Sequence, residues 1–445
     1  MGFAIGMIAL ALQAAATPAT PSPAAPVVTM AAPSPQLKQR TGDVVALFGG
    51  NGDFDAVFAP SFRAALPKAK LDALTAQIIA SLGKPTGVEK IEPVGPLMAR
   101  FRIGFERGLL NAEIALDPAA PNQIVGLLFK GAEPRGQQAA TVEAVIDQLA
   151  AMPGRSGFAL SRLGTGAPVS IAAHAPTTPL AIGSAFKLVI LAELVRSIEA
   201  GERKWSDVVT LDGSALPGGG YAQQPKGTRI PLRELAERMI SVSDNSATDI
   251  LLFHLGRRKV EAMLPVVGMT DGGARNLPFL GALEVFKLKG VDGGALGSKY
   301  LAMPAAQRRT FLDGPVRDTP IAAIPAGLFQ DGKPLRIEQL EWFASPNDLV
   351  RTMDWLRSHF DGPAGAELRA VLSKNPGLPE PAASWRYVGY KGGSEPGVLT
   401  MTFLLQGKDG NWYALSGGVN NPARDVDTLR FTGLVSRALE LAAPR

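Results

Sequence analysis

Residues 181–195 read AIGSAFKLVILAELV, and this stretch decides how the second half of the chain folds. Leu, Val, Ile, Ala and Phe follow one another almost without interruption, which predicts a buried helix. Ser184 and Lys187 are polar exceptions at its start. Because residues three apart on a helix lie one turn apart on one face, the two side chains are expected to be neighbours.

The apolar flank predicts an unusual chemistry for Lys187. A lysine enclosed in this way is costly to keep charged, so its pKa should fall. A neutral lysine amine beside a serine hydroxyl can take the hydroxyl proton and turn the serine into a nucleophile. We therefore hypothesise a serine hydrolase organised around Ser184.

The Ser-x-x-Lys pattern occurs a second time, at Ser81-Leu82-Gly83-Lys84. There a helical pattern ends in Gly83, and Pro85 follows, which is typical of a solvated helix terminus. The sequence context therefore favours the pair at Ser184 over the pair at Ser81.

Length and composition limit the possible functions. A chain of 445 residues is too long for one ordinary core and predicts two or three domains. With 46% hydrophobic and 19% charged residues it is globular, and without cysteine it has no disulfide and no thiol nucleophile. The net charge is +5 without a basic run, and the three histidines share no ligand spacing. We expect no nucleic-acid partner, no metal and no cofactor.

The first 135 residues predict an exported protein with a small leading domain. Residues 1–16 resemble a signal peptide and are too short to span a membrane, and residues 17–35 are a Pro- and Ala-rich tether. Within 36–135, helical patterns are followed by short strand patterns, which predicts an α+β cone. This layout resembles the NTF2/ketosteroid-isomerase-like fold. No acid–tyrosine pair is evident, so we interpret the domain as a packing module.

Two later motifs lie at predicted element boundaries. Ser243-Asp244-Asn245 comes directly before an apolar helix, where Ser243 or Asn245 could alternatively be a plain N-cap. Lys391-Gly392-Gly393-Ser394 precedes the strand patterns Val398 to Leu405 and Tyr413 to Val419. Glycines at a strand start leave the backbone open to a ligand. A surface lysine in a hairpin would give the same sequence pattern.

Ser-x-x-Lys, Ser-Asp-Asn and Lys-[Thr/Gly]-Gly in this order are the signature set of class A β-lactamases and penicillin-binding proteins, and residues 140–445 resemble that family. The resemblance implies an antiparallel sheet flanked by helices, plus an all-helical subdomain. With the cone-like domain ahead of it, the chain is also similar to the two-domain proteins of clavulanic-acid gene clusters. The fold class expected is thus α+β and α/β, a β-lactamase-like domain after a small α+β cone.

The resemblance also implies a role for each motif residue. Ser184 would be the acylated nucleophile, Lys187 its base, and Ser243 a relay that passes the proton to the leaving group. Asn245 would orient the substrate amide, and Lys391 would attract the substrate carboxylate. Gly392 and Gly393 would leave the strand open to the substrate, a small molecule, and the backbone N–H groups of Ser184 and Ser394 would hold the oxyanion.

Three features depart from the family pattern. The glutamate that activates the deacylating water normally stands in Glu-x-x-Leu-Asn, which is absent here, and Glu284 is the nearest candidate. Gly392 replaces the usual threonine, and the separation from Ser243 to Lys391 is long for the family. Three readings stay open: hydrolysis of β-lactams or related amides and esters, a related esterase or acyltransferase, and a penicillin-recognising or cell-wall-binding module that is acylated once and stalls. A peptidoglycan peptidase is a less favoured alternative.

Overall fold

The computed structural model describes residues 32–134, 139–378 and 382–444. The expected signal peptide, 1–16, and most of the expected tether, 17–35, lie outside this range. Within it the chain divides into two compact units, one of the described residues in 139–426 and 434–444, the other of residues 32–134 and 427–433. No helix in the described part of the chain is long and apolar enough to cross a membrane.

In the described part of the N-terminal unit, helices come first and strands follow. The helices are α1 (Pro35–Phe48), α2 (Phe54–Val57), α3 (Pro60–Ala65) and α4 (Lys68–Leu82). The strands are β1 (Pro85–Gly95), β2 (Met98–Phe105), β3 (Gly108–Leu116) and β4 (Ile124–Pro134), paired antiparallel in chain order. Burial alternates along β3, so one face of the sheet lies in the core. This is the expected order of elements, and the resemblance to the NTF2-like fold stays a prediction.

The larger unit is built on a five-stranded antiparallel sheet. Its strands are β5 (Arg155–Leu163), β6 (Val169–His174), β11 (Tyr387–Glu395), β12 (Val398–Gln406) and β13 (Trp412–Asn420), in the spatial order β11-β12-β13-β5-β6. Two short pairs lie outside it: β7 (Leu180–Ala181) with β10 (Phe343–Ala344), and β8 (Val208–Thr210) with β9 (Arg229–Pro231).

Helices cover the sheet and form a subdomain of their own. They are α5 (Val142–Ala150), α6 (Lys187–Glu199), α7 (Leu232–Ser241), α8 (Asn245–Leu255), α9 (Arg257–Val266), α10 (Ala282–Gly290), α11 (Ala295–Ala302), α12 (Ala305–Phe311), α13 (Pro346–Ser358), α14 (Gly365–Ser373) and α15 (Thr428–Ala442). α5 packs on β5 and β6, and α13 packs on β5, β12 and β13. α6 is enclosed by α7, α8 and α9. The expected antiparallel sheet flanked by helices, with an all-helical subdomain, is confirmed.

The stretch that was expected to be one helix begins differently. Gly183–Phe186 form a 3₁₀ turn, and the α-helix starts only at Lys187. The turn is fixed from several sides, because the Phe186 ring stacks on Trp342 with centroids 3.6 Å apart, and the N–H of Ile182 donates to the Trp342 carbonyl at 2.9 Å. Ser184 therefore lies on a tight turn that precedes a buried helix.

Two further expectations need correction. Lys391 lies in the middle of β11 rather than at a strand start, and it is buried rather than on the surface of a hairpin. Three glycines in nine residues hid this strand, because glycine has a low strand propensity. The N-cap of α8 is Asp244, whose side chain accepts the N–H of Ala247, and not Ser243 or Asn245. The strands at 398–406 and 412–420 are confirmed.

β11 crosses the 3₁₀ turn at a distance that only glycine permits. A Cβ atom at Gly393 would overlap the Ile182 carbonyl oxygen and lie 2.5 Å from the Ser184 nitrogen. Gly183 has φ +47°, a left-handed conformation that favours glycine, and a Cβ there would lie 2.8 Å from the Ser394 nitrogen. The two glycines thus let the strand and the turn touch through their backbones.

This close approach gives a first prediction. Gly393→Ala places a methyl group against three backbone atoms that no side-chain rotation can move away, so we expect a loss of about 1–3 kcal/mol or more in the free energy of unfolding. Gly166→Ala, at a site with no atom within 4 Å, is the matched control and should leave stability unchanged. Urea denaturation measures both, and equal stability of the two variants would contradict the crossing described here.

Candidate active site

Ser184 is the one residue of its 3₁₀ turn that reaches solvent. Gly183, Ala185 and Phe186 are buried, whereas Ser184 is half-buried. Its hydroxyl has no hydrogen-bond partner among the described residues, so it is not engaged in a structural contact. The position gives Ser184 both access to a ligand and a fixed backbone.

The Lys187 side chain is fully enclosed and contacts only uncharged groups. Its Nζ lies 2.6 Å from the Ser243 carbonyl oxygen, 3.1 Å from Ser243 Oγ and 2.8 Å from Asn245 Oδ1, and its exposure is 0%. Burial, together with the charge of Lys391, holds the pKa of Lys187 well below its ordinary value.

An uncharged amine matches this set of partners. Its two N–H groups can donate to the Ser243 carbonyl and to Asn245 Oδ1, which leaves its lone pair to accept a hydroxyl proton. The Ser184 hydroxyl and Lys187 begin the same helical segment three residues apart. The structure therefore brings Lys187, Ser243 and Asn245 into direct contact.

Ser243 lies between two lysines. Its backbone has φ +58°, an unusual conformation for a residue other than glycine. Asp244 stabilises this turn, since its carboxylate accepts the N–H groups of Gly220 and Ala247 at 2.7 and 3.0 Å. Ser243 Oγ is thereby held 3.1 Å from Lys187 Nζ and 3.1 Å from Lys391 Nζ.

Lys391 reaches the same hydroxyl from β11. Its Nζ also donates to the Gly392 carbonyl at 2.7 Å, and the residue is 3% exposed. Burial lowers the pKa of Lys391 to about 7. A bound anion would favour the charged form of this lysine.

Backbone N–H groups of the turn and of β11 meet where these side chains converge. The close contacts of Gly183 and Gly393 bring the nitrogens of Ser184 and Ser394 to the same crossing point, and Ser394 is exposed. Two such N–H groups on adjoining segments can stabilise an oxyanion. Gly392 and Gly393 add no side chain to this edge.

Glu284 is engaged elsewhere in the structure. Its carboxylate oxygens pair with Arg257 at 2.6 and 2.9 Å, and one of them also accepts the N–H of Gly281 at 2.7 Å. Both groups are largely buried. The pairing fixes the start of α10, and a role for Glu284 in deacylation stays a prediction.

Sequence reasoning missed a second buried carboxyl group in this region. Asp249 lies one helical turn after Asn245 on α8, and it accepts the N–H groups of Ala282 and Leu283 at 2.7 and 2.9 Å. Burial raises the pKa of Asp249 to about 7. Its spacing of four from Asn245 was the available signal, because that spacing places it on the same face of α8.

A buried ionic cluster holds the far end of β11. Lys289 Nζ pairs with Glu341 at 2.9 Å and with Glu395 at 2.5 Å. Burial, and then the neighbouring Glu341, hold the pKa of Glu395 well above its ordinary value. Glu395 follows Ser394 directly, and the cluster thereby fixes the strand beside the candidate oxyanion site.

Comparisons with known proteins find a family match and several similar solved structures. The sequence profile described as "Beta-lactamase enzyme family" matches residues 138–439. Solved structures similar to the chain include a beta-lactamase from Sphaerobacter thermophilus DSM 20745 (19% identity, 68% of this chain and 99% of that chain, TM-score 0.45), a beta-lactamase from Chitinophaga pinensis DSM 2588 (15%, 67% and 96%, 0.45) and PBP-A (14%, 67% and 93%, 0.45). No curated protein matches the chain.

The enclosure of Lys187 gives a prediction for stability. When the pKa of a lysine is lower in the folded protein than in the unfolded chain, the unfolded chain binds an additional proton between the two pKa values. This lowers the free energy of unfolding, and the loss becomes smaller as pH rises toward 10.5. Lys187→Met removes the titration. We expect the wild type to gain stability relative to Lys187→Met as pH rises from 6 to 10, by up to about 1.4 kcal/mol per pH unit within that window.

The exposed Lys299 supplies the control for this experiment. Lys299→Met removes a lysine that has solvent around it, so its stability should run parallel to that of the wild type over the same pH range. Chemical denaturation at each pH measures the free energy of unfolding. Parallel curves for wild type and Lys187→Met would contradict the enclosure of an uncharged amine.

Proposed function

The chain belongs to the beta-lactamase enzyme family, and from that premise we propose that it is a serine hydrolase acylated on Ser184 by β-lactams or by related carboxylate-bearing amides and esters. The observation that carries the proposal is the contact of Lys187 with Ser243 and Asn245, with Lys391 on the same Ser243 hydroxyl. Three motifs that are far apart in the sequence supply one continuous hydrogen-bonded group.

Acylation follows from the properties of these groups. The Ser184 oxygen attacks the substrate carbonyl carbon while the uncharged amine of Lys187 accepts the hydroxyl proton. The carbonyl oxygen becomes an oxyanion, which the N–H groups of Ser184 and Ser394 stabilise, each contributing about 3 kcal/mol to lowering the barrier. Exclusion of water from the Lys187 side chain strengthens the hydrogen bonds that its amine makes.

Collapse of the intermediate requires a proton on the leaving nitrogen or oxygen. Ser243 donates its hydroxyl proton to the leaving group as the carbon–heteroatom bond breaks, and Lys187, now charged, returns a proton to Ser243. Asn245 accepts an N–H from Lys187 and orients it toward this exchange. Lys391, in its charged form, pairs with the carboxylate of the substrate.

Deacylation is the step for which the chain is least equipped, and we propose that it is slow. Glu284 is already paired with Arg257 and accepts the Gly281 N–H, so activating a water would require it to leave a buried ion pair. This pairing favours, as a second candidate, a module that is acylated once and stalls, or a relative that acts mainly on esters. The duration of the acyl-enzyme distinguishes these candidates.

Two statements about the wider protein belong to the same proposal. The apolar run at Phe3 to Leu12 and the small residues after it support export from the cytoplasm. We also propose that the N-terminal unit is a packing or docking module without chemistry of its own. The partner of the site is a small molecule.

Replacing the proposed nucleophile tests the function directly. Ser184→Ala should abolish covalent labelling by a fluorescent penicillin, because the variant lacks the hydroxyl that attacks the substrate carbonyl. Ser81→Ala changes the other Ser-x-x-Lys sequence and should label like the wild type. Gel fluorescence measures the labelling, and comparable labelling of Ser184→Ala and wild type would refute the assignment.

The pKa of Lys391 predicts a pH dependence. In the free enzyme Lys391 loses its charge as pH rises through about 7, so kcat/KM for a carboxylate-bearing substrate should fall above that pH. A neutral ester that does not pair with Lys391 should show no such decline. Stopped-flow acylation rates from pH 5.5 to 9 measure both, and identical alkaline limbs for the two substrates would remove Lys391 from carboxylate binding.

A further inference from the structure

Tyr390 lies on the face of β11 that the other site residues leave open. Successive side chains of a strand point to opposite faces. Lys391 and Gly393 face Ser243 and the Ser184 turn. Tyr390 therefore shares the opposite face with Gly392 and Ser394, and all three are at least partly exposed.

The Tyr390 hydroxyl occupies the space that a side chain at position 392 would take. A Cβ atom built on Gly392 would overlap the Tyr390 oxygen and come within 2.9 Å of the ring carbon that bears it. The signature motif normally has threonine at this position. Here the chain has Gly392 with a tyrosine hydroxyl above it, so an O–H group remains where the motif would place one.

Neighbouring residues pack closely against the Tyr390 ring on two sides. On one side a Cβ atom at Gly377 would come 2.7 Å from a ring carbon, and Gly377 has φ +72°, which favours glycine. On another side the ring packs on Phe403 of β12 with centroids 4.9 Å apart. Close packing against Gly377 and Phe403 restricts the orientations of the Tyr390 ring, so its hydroxyl is preorganised for a ligand.

The hydroxyl is also free to bind. It has no hydrogen-bond partner among the described residues, and leaving such a group unpaired in a partly buried place is unfavourable. Burial raises the pKa of Tyr390, so the group stays an O–H donor throughout the physiological pH range. On the same residue, the Gly392 carbonyl accepts Lys391 Nζ at 2.7 Å. The ammonium group and the phenol thus both lie against Gly392.

We propose that Tyr390 is a specificity-determining residue, whose hydroxyl donates a hydrogen bond to the carboxylate of the acylating substrate beside Lys391. The inference rests on the proposed function and deepens it, because it assigns the selection of anionic substrates to a residue outside the three motifs. The phenol takes over the contact that the missing threonine would make. A side chain at position 392 would overlap the Tyr390 hydroxyl, which accounts for the glycine there.

Comparison of a substrate with its neutral ester tests this proposal. Acylation rate constants for benzylpenicillin and for benzylpenicillin methyl ester are measured by time-resolved intact-mass spectrometry on the full chain. Tyr390→Phe keeps the ring and removes only the hydroxyl. We expect the ratio of acid to ester rate constants to fall roughly tenfold to a hundredfold, the effect of losing a hydrogen bond to a charged group, while the ester rate stays within about twofold.

Two further variants separate binding from packing. Tyr390→Ala should lower the same ratio, and adding Gly392→Thr to it should restore the ratio, since the threonine then has room for its hydroxyl. If Tyr390 had only a packing role, adding Gly392→Thr would not restore the ratio. Tyr413→Phe, which removes a hydroxyl that donates to Asp409, is the matched control and should leave the ratio unchanged.

The outcomes distinguish the inference from the proposed function. If wild type is labelled by both compounds and Tyr390→Phe keeps the wild-type ratio, the inference fails while the proposed function stands. A double variant that restores no selectivity would also count against the inference. If neither compound labels the wild type, the proposed function fails and the inference falls with it.

Discussion

The structure depends on one constraint: the amine of Lys187 is enclosed among acceptors that carry no charge. Its contacts are a backbone carbonyl, a hydroxyl and an amide oxygen, and the nearest opposite charges, on Asp249 and Asp244, only partly offset the cost of burial. A salt bridge in this place would favour the charged amine, which has no lone pair to accept a proton. The same burial that lowers its affinity for protons therefore supplies the chemistry of the site.

Contacts elsewhere in the larger unit hold the segments around this enclosure together. Gly393 lets β11 touch the 3₁₀ turn, the stacked pair of Phe186 and Trp342 fixes the turn from the other side, and the cluster of Lys289 with Glu395 holds the end of the strand. These contacts join segments that are distant in the sequence, such as Gly393 and Ile182. The proposed chemistry depends on dipoles held in place before the substrate binds, and contacts of this kind can hold them.

Much of this site could be predicted from sequence because its signals are local. The spacing of Ser184 and Lys187 and the position of the Ser243 turn before a helix are readable within a few residues. Three other features could not be predicted from sequence, since each depends on partners distant in the chain. They are the pairing of Glu284 with Arg257, the strand around Lys391 and the packing around Tyr390. Glycines also carry information that composition hides: the missing side chains at Gly392 and Gly393 make room for Tyr390 and for the turn.

The central claim is that Lys187 is uncharged near neutral pH, and its pKa can be measured directly. Lysine labelled with ¹³C at the ε position gives one NMR signal per residue, and comparison with Lys187→Met assigns the signal of Lys187. The account predicts that this signal titrates well below 10.5. A midpoint near 10.5 would mean a charged lysine at neutral pH, and Lys187 could then not be the base that activates Ser184.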